Sequence, residues 1–283
     1  MTITRTYEVN EKFFEIIDTE PKAYWLGFIS ADGNIGSGLR INLQKGDIEH
    51  LKKFAKDIEF NGPVKYVNNR NIANISIYSK HIEDSLRLLG VMERKTSIIR
   101  PCQNVPLELQ KDYWRGYFDG NGTIRYSYKS WRVSNCGSKW MIDGFQNFLE
   151  KNKIVGGSRI TIGVTHVSEY GGNILAQNVI KTFYVNPSVY LDRKKKKVDA
   201  LLSIKNVEFY MQGIKHRDGT TSKYVGVSYT GYKWRARIYV NKRNLELGYF
   251  DTEIDAALAY NSAATKYFGS DARLNIIEEE QLL

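Results

Sequence analysis

Apolar and polar positions alternate along this chain in two rhythms, one helical and one extended, and their order repeats. Residues 23–35, Ala-Tyr-Trp-Leu-Gly-Phe-Ile-Ser-Ala-Asp-Gly-Asn-Ile, carry Trp25, Leu26, Phe28 and Ile29 around Gly27. The run predicts a buried helix: Thr19 can cap its start, Pro21 suits its first turn and Gly33 ends it. Residues 39–43 then alternate as a strand does, and 48–58 show the i, i+3, i+4 spacing of an amphipathic helix. Residues 64–67 and 72–78 read as a strand pair around the polar turn 68–71, and 82–89, stopped by Gly90, as a closing helix.

The second half runs the same way. Residues 113–124, Tyr-Trp-Arg-Gly-Tyr-Phe-Asp-Gly-Asn-Gly-Thr-Ile, repeat the aromatic, glycine and acidic-turn order, and Gly116 follows Gly27 by 89 positions, the interval that also separates Asn121 from Asp32. A domain-sized internal repeat follows. Strands are expected at 123–128, 132–135, 159–164 and 179–185, with helices at 140–149 and 189–202. The expected fold class is α+β: two pseudo-symmetric αββαββα subdomains, 1–106 and 107–205, each with an antiparallel sheet. A linker at 206–222 precedes three strands, 223–229, 233–240 and 245–250, and an alanine-rich helix, 254–268. This small unit is assigned to 223–276, with a tail at 277–283.

Charge adds a partner class. Lys and Arg number 41 against 31 Asp and Glu, a net charge of +10 that favours a polyanionic partner, with a solvated basic surface the equal alternative. Cys102 and Cys136 lack close pairing, the start lacks the apolar core of a signal peptide, and no apolar run approaches the roughly 20 residues that cross a bilayer. An intracellular, non-membrane setting is expected. His50, His81, His166 and His216 are scattered, which disfavours a zinc or histidine-based nuclease centre.

Trp-Leu-Gly-Phe-Ile-Ser-Ala-Asp-Gly at 25–33 and Trp-Arg-Gly-Tyr-Phe-Asp-Gly-Asn-Gly at 114–122 resemble the paired motifs of the LAGLIDADG homing endonucleases. The resemblance implies a monomeric enzyme in which two motif helices pack through Gly27 and Gly116. Their ends would hold Mg²⁺ or another divalent cation over the minor groove of a long, asymmetric double-stranded DNA site. It assigns the catalytic and metal positions to Asp32 and Asn121. Asp32, at the carboxyl end of a helix, needs a cation to offset the partial negative charge of the unpaired carbonyls.

Asn121 departs from the motif, because an amide brings neither charge nor basicity. It is a deliberate inactivation that traps uncut DNA, a natural decay, or a loss covered by Asp119 two residues earlier; a structural hydrogen bond is the alternative role for Asp119. The resemblance also implies a basic residue near each metal position, Lys95 in one repeat and one of Lys194 to Lys197, assigned to Lys195, in the other. Lys194 and Lys196 are then phosphate contacts, or solvated like most basic runs. Gln44, with Asn135 at the matching place, is a candidate to orient water.

The resemblance implies that the outward faces of the two sheets form a saddle-like surface in the DNA major groove, with Arg40, Asn42 and Gln44 on one sheet and Arg125, Arg132 and Ser134 on the other as candidate readers; a solvated sheet face is the alternative for each. Residues 223–276 resemble an AP2 DNA-binding domain through Tyr224-Val-Gly-Val, Trp234-Arg-Ala-Arg-Ile, Leu247-Gly-Tyr-Phe, Asp255-Ala-Ala-Leu-Ala-Tyr and Arg273-Leu-Asn. Lys233, Arg235, Arg237, Tyr239, Asn244 and Glu246 would face DNA there. A DNA-binding regulator that does not cut, or an intron maturase that binds RNA, is the second reading.

Overall fold

Two glycines set how the first unit is built. In the computed structural model, helix α1 (Glu20–Asp32) and helix α4 (Gln110–Asn121) lie against each other so closely that a Cβ on Gly27 would stand 1.9 Å from Tyr113 O, and one on Gly116 would stand 1.9 Å from Tyr24 O. Only hydrogen fits at either place. The contacts are reciprocal, as an internal two-fold requires. Thr19 starts α1 through its carbonyl, which accepts from Ala23 N, and its side chain makes no capping bond. The structure describes residues 6–67, 70–93, 97–127, 130–204, 221–240, 243–269 and 272–277.

Each motif helix runs directly into the first strand of a sheet. In the first repeat β1 (Gly33–Asn34) and β2 (Leu39–Gln44) are followed by α2 (Ile48–Asp57), β3 (Lys65–Tyr66), β4 (Ile72–Ile77) and α3 (Lys80–Leu88). In the second, β5 (Gly122–Ser127) and β6 (Ser130–Gly137) are followed by α5 (Lys139–Lys151), β7 (Ser158–Ile162), β8 (Thr165–Gly171), α6 (Asn173–Lys181) and α7 (Asp192–Leu202). The antiparallel strand orders, β1-β2-β4-β3 and β5-β6-β8-β7, are the same. The α+β class and the repeat are thus those expected.

One core serves both repeats. It runs from Trp25, Phe28 and Phe54 through Tyr113 and Phe118 to Phe145 and Phe183, all buried. Removing such side chains from water contributes roughly 1.5–3 kcal/mol each. The two repeats pack into one unit, Met1–Ile204, and Lys205–Leu283 forms the second.

Residues 179–185, expected as a strand, are not one. Val179, Ile180 and the β-branched run around them suggest extension, but buried Ala176, Gln177, Val179 and Ile180 form the inner face of α6, and Gln177 Nε2 donates to Leu201 O at 2.8 Å. The fourth strand is β8, where Ser168 and Tyr170 face inward. Polar atoms on the buried face hid it from the alternation rule. Residues 206–220 of the expected linker, 68–69 of the turn and 278–283 of the tail lie outside the described residues.

The second unit is a three-stranded antiparallel sheet, β9 (Val227–Tyr229), β10 (Trp234–Val240) and β11 (Arg243–Phe250), with β10 central, and one helix, α8 (Glu253–Phe268). Ala256, Ala257 and Ala264 bring the helix close to buried Ala236 and Ile238. Thr252 caps it by accepting from Asp255 N at 3.0 Å. Asn275 ties the far end back: its Oδ1 accepts from Val225 N at 2.7 Å, and its N–H donates to Asn261 Oδ1 at 2.6 Å.

Candidate functional site

The seam brings the two helix ends together. A Cβ on Gly120 would lie 2.3 Å from Ala31 Cβ and 3.4 Å from Asp32 Oδ2, so the last turn of α4 stands against the Asp32 carboxylate. Asp32 is exposed and Asn121 half-buried. Neither helix has a basic residue in its last turn. Carbonyls left without helical partners give both tips negative character, and α4 obtains its cation from elsewhere.

That cation is Lys194. Expected among the phosphate contacts, it is instead buried, and its Nζ donates to Phe118 O at 2.6 Å and Asp119 O at 2.7 Å. Lys194, Val198 and Leu201 recur at i, i+4 and i+7 as the inner stripe of α7, in line with buried Leu191 just before the helix. That spacing was readable within the basic run and identifies which lysine turns inward. Burial brings its ammonium down to about 8, with Asp119 and Asp32 opposing the fall. Lys195, assigned to catalysis, pairs with Asp199 one turn along α7, and Lys196 is exposed. The helix-tip position belongs to Lys194 because Lys195 lies off the inner stripe. Lys95 lies outside the described residues.

Asp119 does not stand in for Asn121. Its carboxylate is fully buried and accepts from Tyr24 OH at 2.7 Å, from Leu191 N at 2.8 Å and from Tyr184 OH. Burial pushes its carboxyl upward, while Lys194, both tyrosines and the Leu191 amide pull it down. It is a structural acid that ties α1, α4 and the start of α7 together. Tyr24 has one hydroxyl proton and gives it to Asp119, so His50 Nε2, 3.0 Å away, must be the donor to Tyr24. Burial drives His50 down to about 3, helped by Lys53 and Arg193. Arg115, buried beside this network, donates to Asp112 at 2.7 Å, Glu20 at 2.6 Å, Val189 O at 3.0 Å and Phe183 O at 3.1 Å. Sequence reasoning passed over Arg115, although an arginine in a hydrophobic motif signals such a set of bonds.

Around Asn121, Cys136 Sγ donates to its carbonyl at 3.2 Å, and Tyr117 OH donates to Cys136 O at 3.0 Å. The charge of Asp32 acts on Lys194, Cys136 and Tyr117 alike. Asn135 does not match Gln44. It pairs with Gly122 as Ile41 pairs with Gly33, and it is buried, whereas Gln44 lies three residues further along β2 on the exposed face. Among the described residues, no group of three His, Cys, Asp or Glu side chains is arranged to hold a metal ion. The donors at the tips are one carboxylate, one amide and main-chain carbonyls. Such a hard, oxygen-only set suits a divalent cation whose other ligands are phosphate and water.

Arg40, Asn42 and Gln44 alternate with buried Leu39, Ile41 and Leu43 on β2. Arg125 and Arg132 are cross-strand partners on β5 and β6, with Ser134 two residues along β6 on the same side. In the second unit Arg237 pairs with Glu246 and Tyr239 with Asn244, and all four are exposed. Arg235 and Lys233 are half-buried, and Lys233 Nζ pairs with Asp251 at 3.1 Å.

No family model matches the chain. Dehydration-responsive element-binding protein 2D of Arabidopsis thaliana is 45% identical over 71 residues, which are 24% of this chain and 34% of that protein. The chain thus spans about a third of the length of this curated relative. Solved structures similar to it include the LAGLIDADG meganuclease I-AabMI bound to uncleaved DNA, at TM-score 0.47 and 10% identity over 66% of this chain and 90% of that one. The I-LtrWI LAGLIDADG homing endonuclease bound to target DNA has TM-score 0.46 and 9% identity, covering 68% and 90%. The N-terminal LAGLIDADG domain of DUF199/WhiA has TM-score 0.42 and 16% identity, covering 66% and 97%.

Proposed function

We propose that this protein binds a long, asymmetric double-stranded DNA site as a monomer and hydrolyses it across the minor groove as a LAGLIDADG-type homing endonuclease, with activity held low by Asn121. The observation that carries this reading is the reciprocal Gly27 and Gly116 seam, which sets the Asp32 carboxylate against the end of α4. Two sheets of one topology but different outward residues support two unlike half-sites. The net charge of +10 supports a polyanionic partner.

Asp32 and Asn121 would hold Mg²⁺, which when bound supplies Lewis-acid stabilisation of the leaving oxygen and a more acidic water. Asp32 provides the only side-chain negative charge assigned to that role. Asn121 offers an amide oxygen and takes up no proton. Lys194 keeps a positive charge on the α4 tip, which favours the approach of a phosphate. The three-stranded sheet of the second unit, with Arg235, Arg237 and Tyr239, would extend the footprint into the major groove. The chain's likeness over 71 residues to a protein named for binding a responsive element supports this.

The test is incubation of the full chain and of Asn121→Asp with a duplex selected by binding, in the presence of Mg²⁺. Slow cleavage by the native chain and faster cleavage by Asn121→Asp is the expected result. If both bind the duplex and neither breaks a strand, the nuclease reading fails and the protein is a DNA-binding protein that does not cut, the reading that Asn121 itself favours.

A further inference from the structure

The outward face of the second sheet carries an ion-paired triad that joins three strands. Glu169 of β8 accepts from Arg125 Nη2 of β5 at 2.6 Å on one carboxylate oxygen and from Arg132 Nη1 of β6 at 2.9 Å on the other. Arg125 and Arg132 are directly opposite in register, a pairing of like charges that by itself drives the side chains apart. Gly171, the β8 residue opposite Arg132, presents no side chain across the diagonal between Arg132 and Glu169. The Glu169 side chain is 14% exposed against 55% for Arg125, so the carboxylate lies beneath and the guanidinium reaches solvent.

The first sheet has no such charge at that place. Ile41 pairs with Gly33 and Asn135 with Gly122, and counting from these pairs Ser76 corresponds to Glu169. There, with Arg40 opposite Ser76 and Lys65 opposite Asn74, the bonded side chains are an amide ladder without a carboxylate: Asn74 Nδ2 donates to Asn42 Oδ1 at 2.8 Å, and Ser76 Oγ donates to Asn74 Oδ1 at 3.0 Å.

We propose that Glu169 is a specificity-determining positioning residue, holding Arg125 and Arg132 as a fixed pair that reads guanine in one half of the DNA site, opposite a half where the Asn42 and Asn74 amides read adenine. This rests on the DNA-binding reading above. An unrestrained arginine on a basic surface goes to phosphate, which carries no sequence information. An arginine anchored by one nitrogen keeps its remaining N–H donors aimed outward, and bidentate contact with guanine O6 and N7 needs that planar geometry. The anionic carboxylate beneath also weakens attraction for phosphate. Glu169 thus trades non-specific affinity for discrimination. Amide side chains match the donor and acceptor of adenine in the same way.

The experiment is selection of binding sites from a randomised duplex pool by the full chain, by Glu169→Gln and by Arg125→Gln. Thermal melting checks that each variant is folded. The native chain is expected to enrich a site with guanine in one half and adenine in the other. Glu169→Gln should bind random duplex more tightly, with a log–log salt slope steeper by about one. It should also lose about tenfold in preference at the guanine position that Arg125→Gln abolishes. If Glu169→Gln keeps the native preference there, or loses preference at a different position from Arg125→Gln, this proposal fails while DNA binding stands. If the native chain enriches no sequence and does not bind duplex, the DNA-binding reading falls and this proposal with it.

Discussion

Gly27 of α1 and Tyr113 of α4 meet backbone to backbone, with room between them for a hydrogen atom and nothing larger. Because Gly116 stands in the same relation to Tyr24, Gly27→Ala and Gly116→Ala are expected to destabilise the first unit to a similar degree. A methyl group against main-chain atoms cannot be relieved by a rotamer change, so the cost should be about 3 kcal/mol or more. Denaturant unfolding of each variant measures it. A loss below 1 kcal/mol in either would show that the seam opens easily.

The two acids near the helix tips should separate cleanly. Asp119→Ala leaves three donors and the Lys194 charge without their partner, and it is expected to lose on the order of 3 kcal/mol. Asp32→Asn changes an exposed side chain at a helix end, so its effect on stability should be well below that of Asp119→Ala. Its effect should appear in divalent-ion binding, read with a luminescent lanthanide. Equal stability losses in the two variants would contradict this division.

His50 makes the fold acid-sensitive. The unfolded imidazole takes a proton as pH drops below about 6.5, but the buried one resists until about 3. The unfolded chain therefore binds more protons across that window, and stability present above it is lost as pH falls. By pH 4 the loss should be about 3 kcal/mol. His50→Gln keeps a donor toward Tyr24 and should show a pH dependence flatter by that amount, measured as unfolding free energy at pH 7 and pH 4.

Lys194 acts at the other end of the scale. Its folded ammonium releases its proton near 8, whereas the unfolded side chain keeps it to about 10.5. Stability contributed by the neutral form is gained as pH rises through that window, on the order of 3 kcal/mol. Lys194→Met should lack this rise. A parallel pH dependence in both proteins would mean that the ammonium is better solvated than its burial indicates.

For the second unit, Arg235→Ala with Arg237→Ala is expected to weaken binding to the selected DNA site and reduce its salt dependence, with unfolding of the first unit unchanged. Binding titrations at two salt concentrations read both quantities. Unchanged affinity would remove this sheet from the interface.

The repeat, the paired helices and the β10 face were legible in the chain because each rests on a short period that survives in sequence: the 89-residue interval, the two motif glycines, and the strict alternation from Lys233 to Tyr239. What escaped depends on burial in three dimensions. Helix α6 was hidden by β-branched Val179 and Ile180, and β8 by inward-facing Ser168. Lys194 could be told from Lys195 only by extending the stripe from Leu191 to Leu201 across a run of like charges. The donors to Asp119 come from Tyr24, Tyr184 and Leu191, too far apart in sequence for any local pattern to join them.

A homodimer of one repeat would have to carry every substitution twice, so exchanging an acid for an amide would discharge both tips at once. Joining the copies in one polypeptide removes that symmetry constraint. Asp32 and Asn121 can then differ while the glycine contact that aligns them stays the same on both sides, and each half becomes free to specialise without its twin.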